Sequence, residues 1–152
     1  MDLTDLDRRI RVLEDIEAIK QLKARYCAYC DANYDADGIA SLFTDDAVWE
    51  GEGFGRCEGR EAIRTFFRAS PSRMPFAIHH VMNPIIEVQG DSATGQWYLF
   101  QPCTRGTQAA WLAARYEERY VRLEGAWKFQ HLTVVPAFFT PFEHGWVQQR
   151  FI

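Results

Sequence analysis

The chain has 152 residues, 47% of them hydrophobic and 25% charged, and a formal net charge of −4. Such a chain buries a sizeable core, and its composition excludes a disordered or fibrous protein. The 17 Lys and Arg form no basic patch, no apolar run reaches membrane-span length, and the acidic N-terminus lacks a signal-peptide pattern. The expected partners therefore include neither nucleic acid nor membrane, and the expected location is cytoplasmic.

Residues 7–34 are predicted to form one long helix. Ile10, Leu13, Ile16, Ile19, Leu22 and Tyr26 recur at spacings of three and four, without an interrupting Gly or Pro. Cys27 and Cys30 form a C-x-x-C on this helix. With no second Cys/His pair at metal-finger spacing, they read as small packing residues. Asp35 to Gly38 breaks the helix, and Asp37 is the expected N-cap of a short second helix carrying Ile39, Leu42 and Phe43. Phe43 to Asp46 closes that helix, 47–50 reads as a short strand, and 51–55 is a Gly-rich loop. A third helix spans 59–68, with Pro71 and Pro75 ending it.

From Phe76 onward the pattern is β. Strands are expected at 76–89, 92–103, 109–123 and 126–136, with turns at Gly90-Asp91 and Glu124-Gly125. The tail, 137–152, is aromatic and irregular. Helices first and a meander of long strands after point to one α+β domain over residues 1–152. Such a sheet must curl, and helices in its concave face would leave a conical pocket.

Several side chains on these elements can carry chemistry. Asp31 has Ala24, Cys27 and Ala28 as helical neighbours, so its carboxylate can face inward or cap the helix end. His79 and His80 are adjacent on a strand, so one points to each face, and the pattern alone does not choose between them. His131 shares a face with Trp127, Phe129 and Thr133 by alternation and is another pocket candidate. Tyr26 lies on the apolar stripe, where its phenol can donate a hydrogen bond. A carboxylate that orients an imidazole makes a general base. No phosphate-binding Gly-rich loop, G-x-S-x-G elbow or H-E-x-x-H metal spacing is present in the sequence.

The order of elements and several stretches together resemble the SnoaL-like branch of the cone-shaped NTF2-like superfamily. The stretches are the helix carrying Tyr26 and Asp31, LFTDDAVW over 42–49, GREAI over 59–63, HHVMN over 79–83, and the segment from Arg115 to Phe129. The likeness covers nearly the whole chain and is greatest to the group containing scytalone dehydratase, bile-acid 7α-dehydratase and hexachlorocyclohexane dehydrochlorinase. It implies a cone of curved, mostly antiparallel sheet around N-terminal helices, and assembly as a homotrimer through the sheet. It also implies a histidine base held by an aspartate. The family's H-x-x-x-N register selects His79, with Asn83 as its second landmark, and pairs it with Asp31. The chain departs from these relatives where Cys103 stands in place of a pocket histidine, Tyr26 in place of a lysine and Leu132 in place of an arginine.

The resemblance thus implies a lyase that performs a dehydratase-type elimination on a hydrophobic cyclic small molecule without a cofactor. His79, Asp31 and Tyr26 are the expected catalytic residues. Trp49, Phe54, Cys103, Trp111 and His131 are the expected substrate-binding residues, and no metal site is expected. The alternatives are a double-bond isomerase or cyclase using the same base, and a ligand-binding module without catalysis.

Overall fold

A computed structural model describes residues 2–152. Its elements in chain order are α1 (Leu3–Asp31), α2 (Ala36–Ser41), β1 (Phe43–Gly51), β2 (Gly55–Glu58), α3 (Arg60–Arg73), β3 (Phe76–Ala77), β4 (His80–Gln89), β5 (Ser92–Arg105), β6 (Gln108–Leu123), β7 (Ala126–Pro141) and α4 (Gly145–Gln148). Strands pair in the order β2-β1-β7-β6-β5-β3, and β4 also pairs with β5. All neighbours are antiparallel except β1 and β7. The helices pack in the hollow of this curled sheet.

Asp2 caps α1 by accepting from the Thr4 amide at 3.3 Å. Only the second half of the helix is built into the core, through Ile19, Leu22, Lys23, Tyr26, Cys27 and Cys30. Leu3, Leu6, Ile10 and Leu13 continue the apolar stripe but stay exposed. α1 stops at Asp31 rather than at 34 because Asn33 and Tyr34 both adopt left-handed φ, +56° and +55°. Backbone bonds from Tyr34 to Cys30 and from Asp35 to Tyr29 then close its end. Asp35, not Asp37, caps α2, with its carboxylate accepting from the Gly38 amide at 3.0 Å.

Other boundaries also differ from the sequence expectation. Phe43 to Asp46 opens β1 instead of closing a helix, because the Phe43 ring is fully buried against Phe129, 5.0 Å between centroids. The Gly-rich loop is a hairpin whose second arm is β2. Helix α3 runs through Pro71 to Arg73. A proline so close to a helix end costs one hydrogen bond, and the Ser70 and Ser72 hydroxyls take up the Phe66 and Ala69 carbonyls there. β7 absorbs the start of the expected irregular tail.

Alternation along β5 and β6 sorts the concave from the convex face. Ala93, Trp97, Leu99, Gln101 and Cys103 point inward from β5; Ala110, Leu112, Ala114, Tyr116, Glu118 and Tyr120 point inward from β6. Gly95 shares the inward face of β5 because a Cβ there would lie 2.5 Å from the Tyr120 hydroxyl. Tyr26, at the centre of the hollow, meets Phe43, Phe67, Tyr116 and Phe129 edge-on. Below it, Lys23 and Glu118 form a fully buried ion pair at 2.5 Å.

Candidate active site

β3 and β4 lie along the same edge of β5, separated by Ile78 and His79. Ala77 pairs with Cys103 and His80 with Phe100, so an unchanged register sets His79 opposite the buried, inward-facing Gln101. His80 is on the exposed side. The ladder lapses at His79 because its amide donates to both Asp31 oxygens, at 3.0 and 3.3 Å. The same carboxylate takes the ring: His79 Nδ1 is 2.7 Å from Asp31 Oδ1. A carboxylate accepts, so Nδ1 carries the proton and Nε2 holds a lone pair. No hydrogen bond to Nε2 occurs among the described residues.

The His79 side chain is nearly buried, at 6% exposure, whereas that of Asp31 retains 31%. Asp31 is therefore not an interior carboxylate. It stands at the open end of α1, where its oxygens accept from the backbone and ring donors of His79 and meet water.

His79 lines a cavity of about 230 Å³ in the sheet's hollow. Tyr26, Trp49 and Phe54 line it too. Trp49 Nε1 donates to the Tyr26 hydroxyl at 3.1 Å, and the Cys30 thiol is a second side-chain hydrogen-bond partner of that phenol. Burial pushes the Tyr26 and Tyr34 phenols above their ordinary pKa, so both remain protonated donors at neutral pH. Phe66, Phe67, Leu99, Leu112, Tyr116, Val134 and Phe139 add apolar surface; Ser70, Gln101, Arg73 and Arg105 add polar groups. Asn83, the second landmark, sits at φ +53° in the bulge where the β4 register shifts. An asparagine tolerates that left-handed conformation better than most residues.

Three of the expected pocket residues lie elsewhere. His131 is on the convex face, because β7 bulges at Gln130: Phe129 pairs with Tyr120 and His131 with Arg119. One extra residue reverses the alternation beyond it. There Arg119 donates to His131 Nδ1 at 2.8 Å and His131 Nε2 donates to Glu50 at 2.6 Å. Trp111 is also convex, stacked on Phe100 at 5.3 Å and beside Phe142 at 5.6 Å. Cys103 faces inward but is sealed off from the cavity, its thiol directed at the Ala110 carbonyl 3.8 Å away.

Sequence reasoning missed Tyr34, Ser70, Arg73, Met74, Gln101 and Arg105. For Gln101 the signal was present, as a polar residue in the inward register of Trp97 and Leu99. Ser70 and Arg73 became visible only when α3 proved to extend beyond Pro71.

Comparison with known proteins agrees with this architecture. The SnoaL-like domain model matches residues 11–133. The chain belongs to the SnoaL-like domain family. This SnoaL-like chain is 30% identical over 145 residues to the γ-hexachlorocyclohexane dehydrochlorinase of Sphingobium indicum, covering 91% of the chain and 88% of that enzyme. It superposes on the crystal structure of a type 2 hexachlorocyclohexane dehydrochlorinase, LinA, with a TM-score of 0.81 at 30% identity, over 91% of this chain and 93% of that one. An NTF2-like protein with a cystatin-like fold from Novosphingobium aromaticivorans matches at TM-score 0.71 and 28% identity, covering 90% of each chain. The α+β cone implied by the SnoaL-like resemblance is thus the fold of the molecule. No helix among the described residues is long and apolar enough to cross a membrane.

Proposed function

We propose that this SnoaL-like domain, residues 1–152, is a cofactor-independent lyase that eliminates a leaving group from a hydrophobic cyclic small molecule. The observation that carries the reading is the His79 ring. Its Nδ1 is 2.7 Å from Asp31, its Nε2 is unpartnered among the described residues, and the residue lines a cavity walled mainly by apolar side chains. Nε2 takes a proton from carbon. The C–H electron pair becomes the new C=C bond, and the leaving group departs with the electrons of its own bond. Asp31 holds the tautomer and stabilises the imidazolium that forms. Tyr26, whose oxygen accepts from Trp49, turns its O–H to the departing group. The likeness to dehydrochlorinases supports elimination as the reaction class. Positioned proton transfer of this kind contributes roughly 10²–10⁴-fold.

The assembly we propose is a homotrimer through the convex face. Tyr98, Phe100, Phe142 and Trp146 leave that side of the molecule unusually apolar for a surface. Light scattering is expected to give three times the mass of the chain; a monomer would contradict this.

The test of the reaction is a panel of γ-hexachlorocyclohexane, cyclic β-hydroxy ketones and cyclic monohalides, with products identified by mass spectrometry. An unsaturated ring plus released halide or water is the expected outcome for one class. Isomerised substrate without a leaving group would replace elimination by the isomerase reading, and no reaction from any class would contradict catalysis of this kind.

A further inference from the structure

Apart from the imidazole, the only ionisable cations lining the cavity are Arg73 and Arg105, and no carboxylate is among its lining residues. Arg73 is the last residue of α3 and Arg105 the last of β5. The Gly106 amide donates to the Arg73 carbonyl at 2.9 Å, so the two segments are pinned side by side at the exposed rim. Among the described residues, neither guanidinium has an Asp or Glu side chain within ion-pair distance. Eight other arginines, Arg8, Arg11, Arg56, Arg60, Arg64, Arg68, Arg115 and Arg122, do have one, but none of those eight lines the cavity. Arg73 is stacked on the Phe66 ring and makes only long contacts, 3.3 Å to the Phe66 carbonyl and 3.4 Å to the Ser70 hydroxyl. Arg105 is stacked over Phe139 and spends one Nη1 donor on the Ile152 main-chain oxygen at 2.6 Å. Both guanidiniums thus lie over aromatic rings, which themselves line the cavity, with donors unspent.

We infer that the substrate is an apolar ring bearing a carboxylate, with the ring in the cavity beside His79 and the carboxylate on Arg73 and Arg105. The inference rests on the proposed function for the role of His79, but not for the charge preference itself. A planar guanidinium binds a carboxylate through two parallel N–H donors, and an anion at the rim keeps partial hydration while its ring is buried. A neutral substrate would leave the unspent donors of both guanidiniums to water alone.

The experiment is calorimetric titration of the full chain with 2-naphthoate and with 2-naphthamide, which differ in charge at nearly constant shape. The carboxylate is expected to bind about tenfold more tightly, the low end for a charge-assisted bond because the rim is wet. Added salt is expected to narrow the gap. Arg73→Gln should narrow the preference and the Arg73→Gln/Arg105→Gln pair should abolish it, with the melting temperature within a few degrees of the parent. His79→Ala should keep the preference even where turnover is lost, so the charge inference and the lyase reading fail separately. Equal affinity for the two probes, binding of neither, or a preference that survives the double substitution would overturn the inference.

Discussion

Among the charged side chains that helix α1 sends toward the sheet, Lys23 and Asp31 end in opposite situations. Lys23 meets Glu118 at 2.5 Å with both side chains at 0% exposure. Its ammonium also sits 3.1 Å from the Tyr116 ring centroid, and Glu118 accepts from the Tyr120 hydroxyl, which in turn accepts from Trp97 Nε1 at 3.0 Å. Asp31 lies two turns further along, about 12 Å by helical rise, and meets His79 where water reaches. The first network is closed: its members are engaged with one another and none of the pair faces the cavity. The second is open, since one nitrogen of His79 has no partner among the described residues and His79 lines the cavity. Equal charge pairing therefore produces a strut in one case and a candidate base in the other. What separates them is whether an unsatisfied atom remains at the cavity wall.

That contrast is broken most severely at the closed end. Lys23→Met leaves Glu118 buried without its counter-ion and is expected to cost about 3–5 kcal/mol, read as a lower urea midpoint. Replacing both partners, Lys23→Met with Glu118→Leu, should recover much of the loss, because no charge is then stranded. At the open end the order of effects reverses. Asp31→Asn is expected to lower turnover by about 10- to 100-fold, while stability changes by no more than about 1 kcal/mol, as for a partly exposed pair.

A smaller effect should follow from Trp49→Phe, which removes the donor to the Tyr26 hydroxyl and is expected to cost about 1 kcal/mol. The thiols give an effect of pH rather than of substitution. Burial pushes Cys27 and Cys103 up to about 11, above the ordinary thiol range. The unfolded chain therefore releases these protons first, and stability should be constant below about pH 8.5 and decline as pH rises toward 11. Labelling of the folded protein at neutral pH should reach half-buried Cys57 well before the other three cysteines.

The sequence carried the class of fold and the placement of most elements, because the long helix and the hairpin turns declare themselves through local periodicity. It misled wherever one residue altered a count. The bulge at Gln130 moved His131 to the convex face. Pro71 made α3 look shorter than it is and hid Ser70 and Arg73. Trp111 was expected at the pocket, yet the inward register of β6 belongs to Ala110 and Leu112. The approach of Asp31 to His79 spans 48 residues and has no periodic signature. The residues alone left His79 and His80 equivalent, and only the family resemblance distinguished them.

The central claim is that the open pair is catalytic, and it is tested most directly by His79→Ala on whichever panel compound the protein converts. The account predicts that kcat falls by about 10²- to 10⁴-fold while the melting temperature stays within a few degrees of the parent. Turnover that survives the substitution in a protein still folded would contradict it.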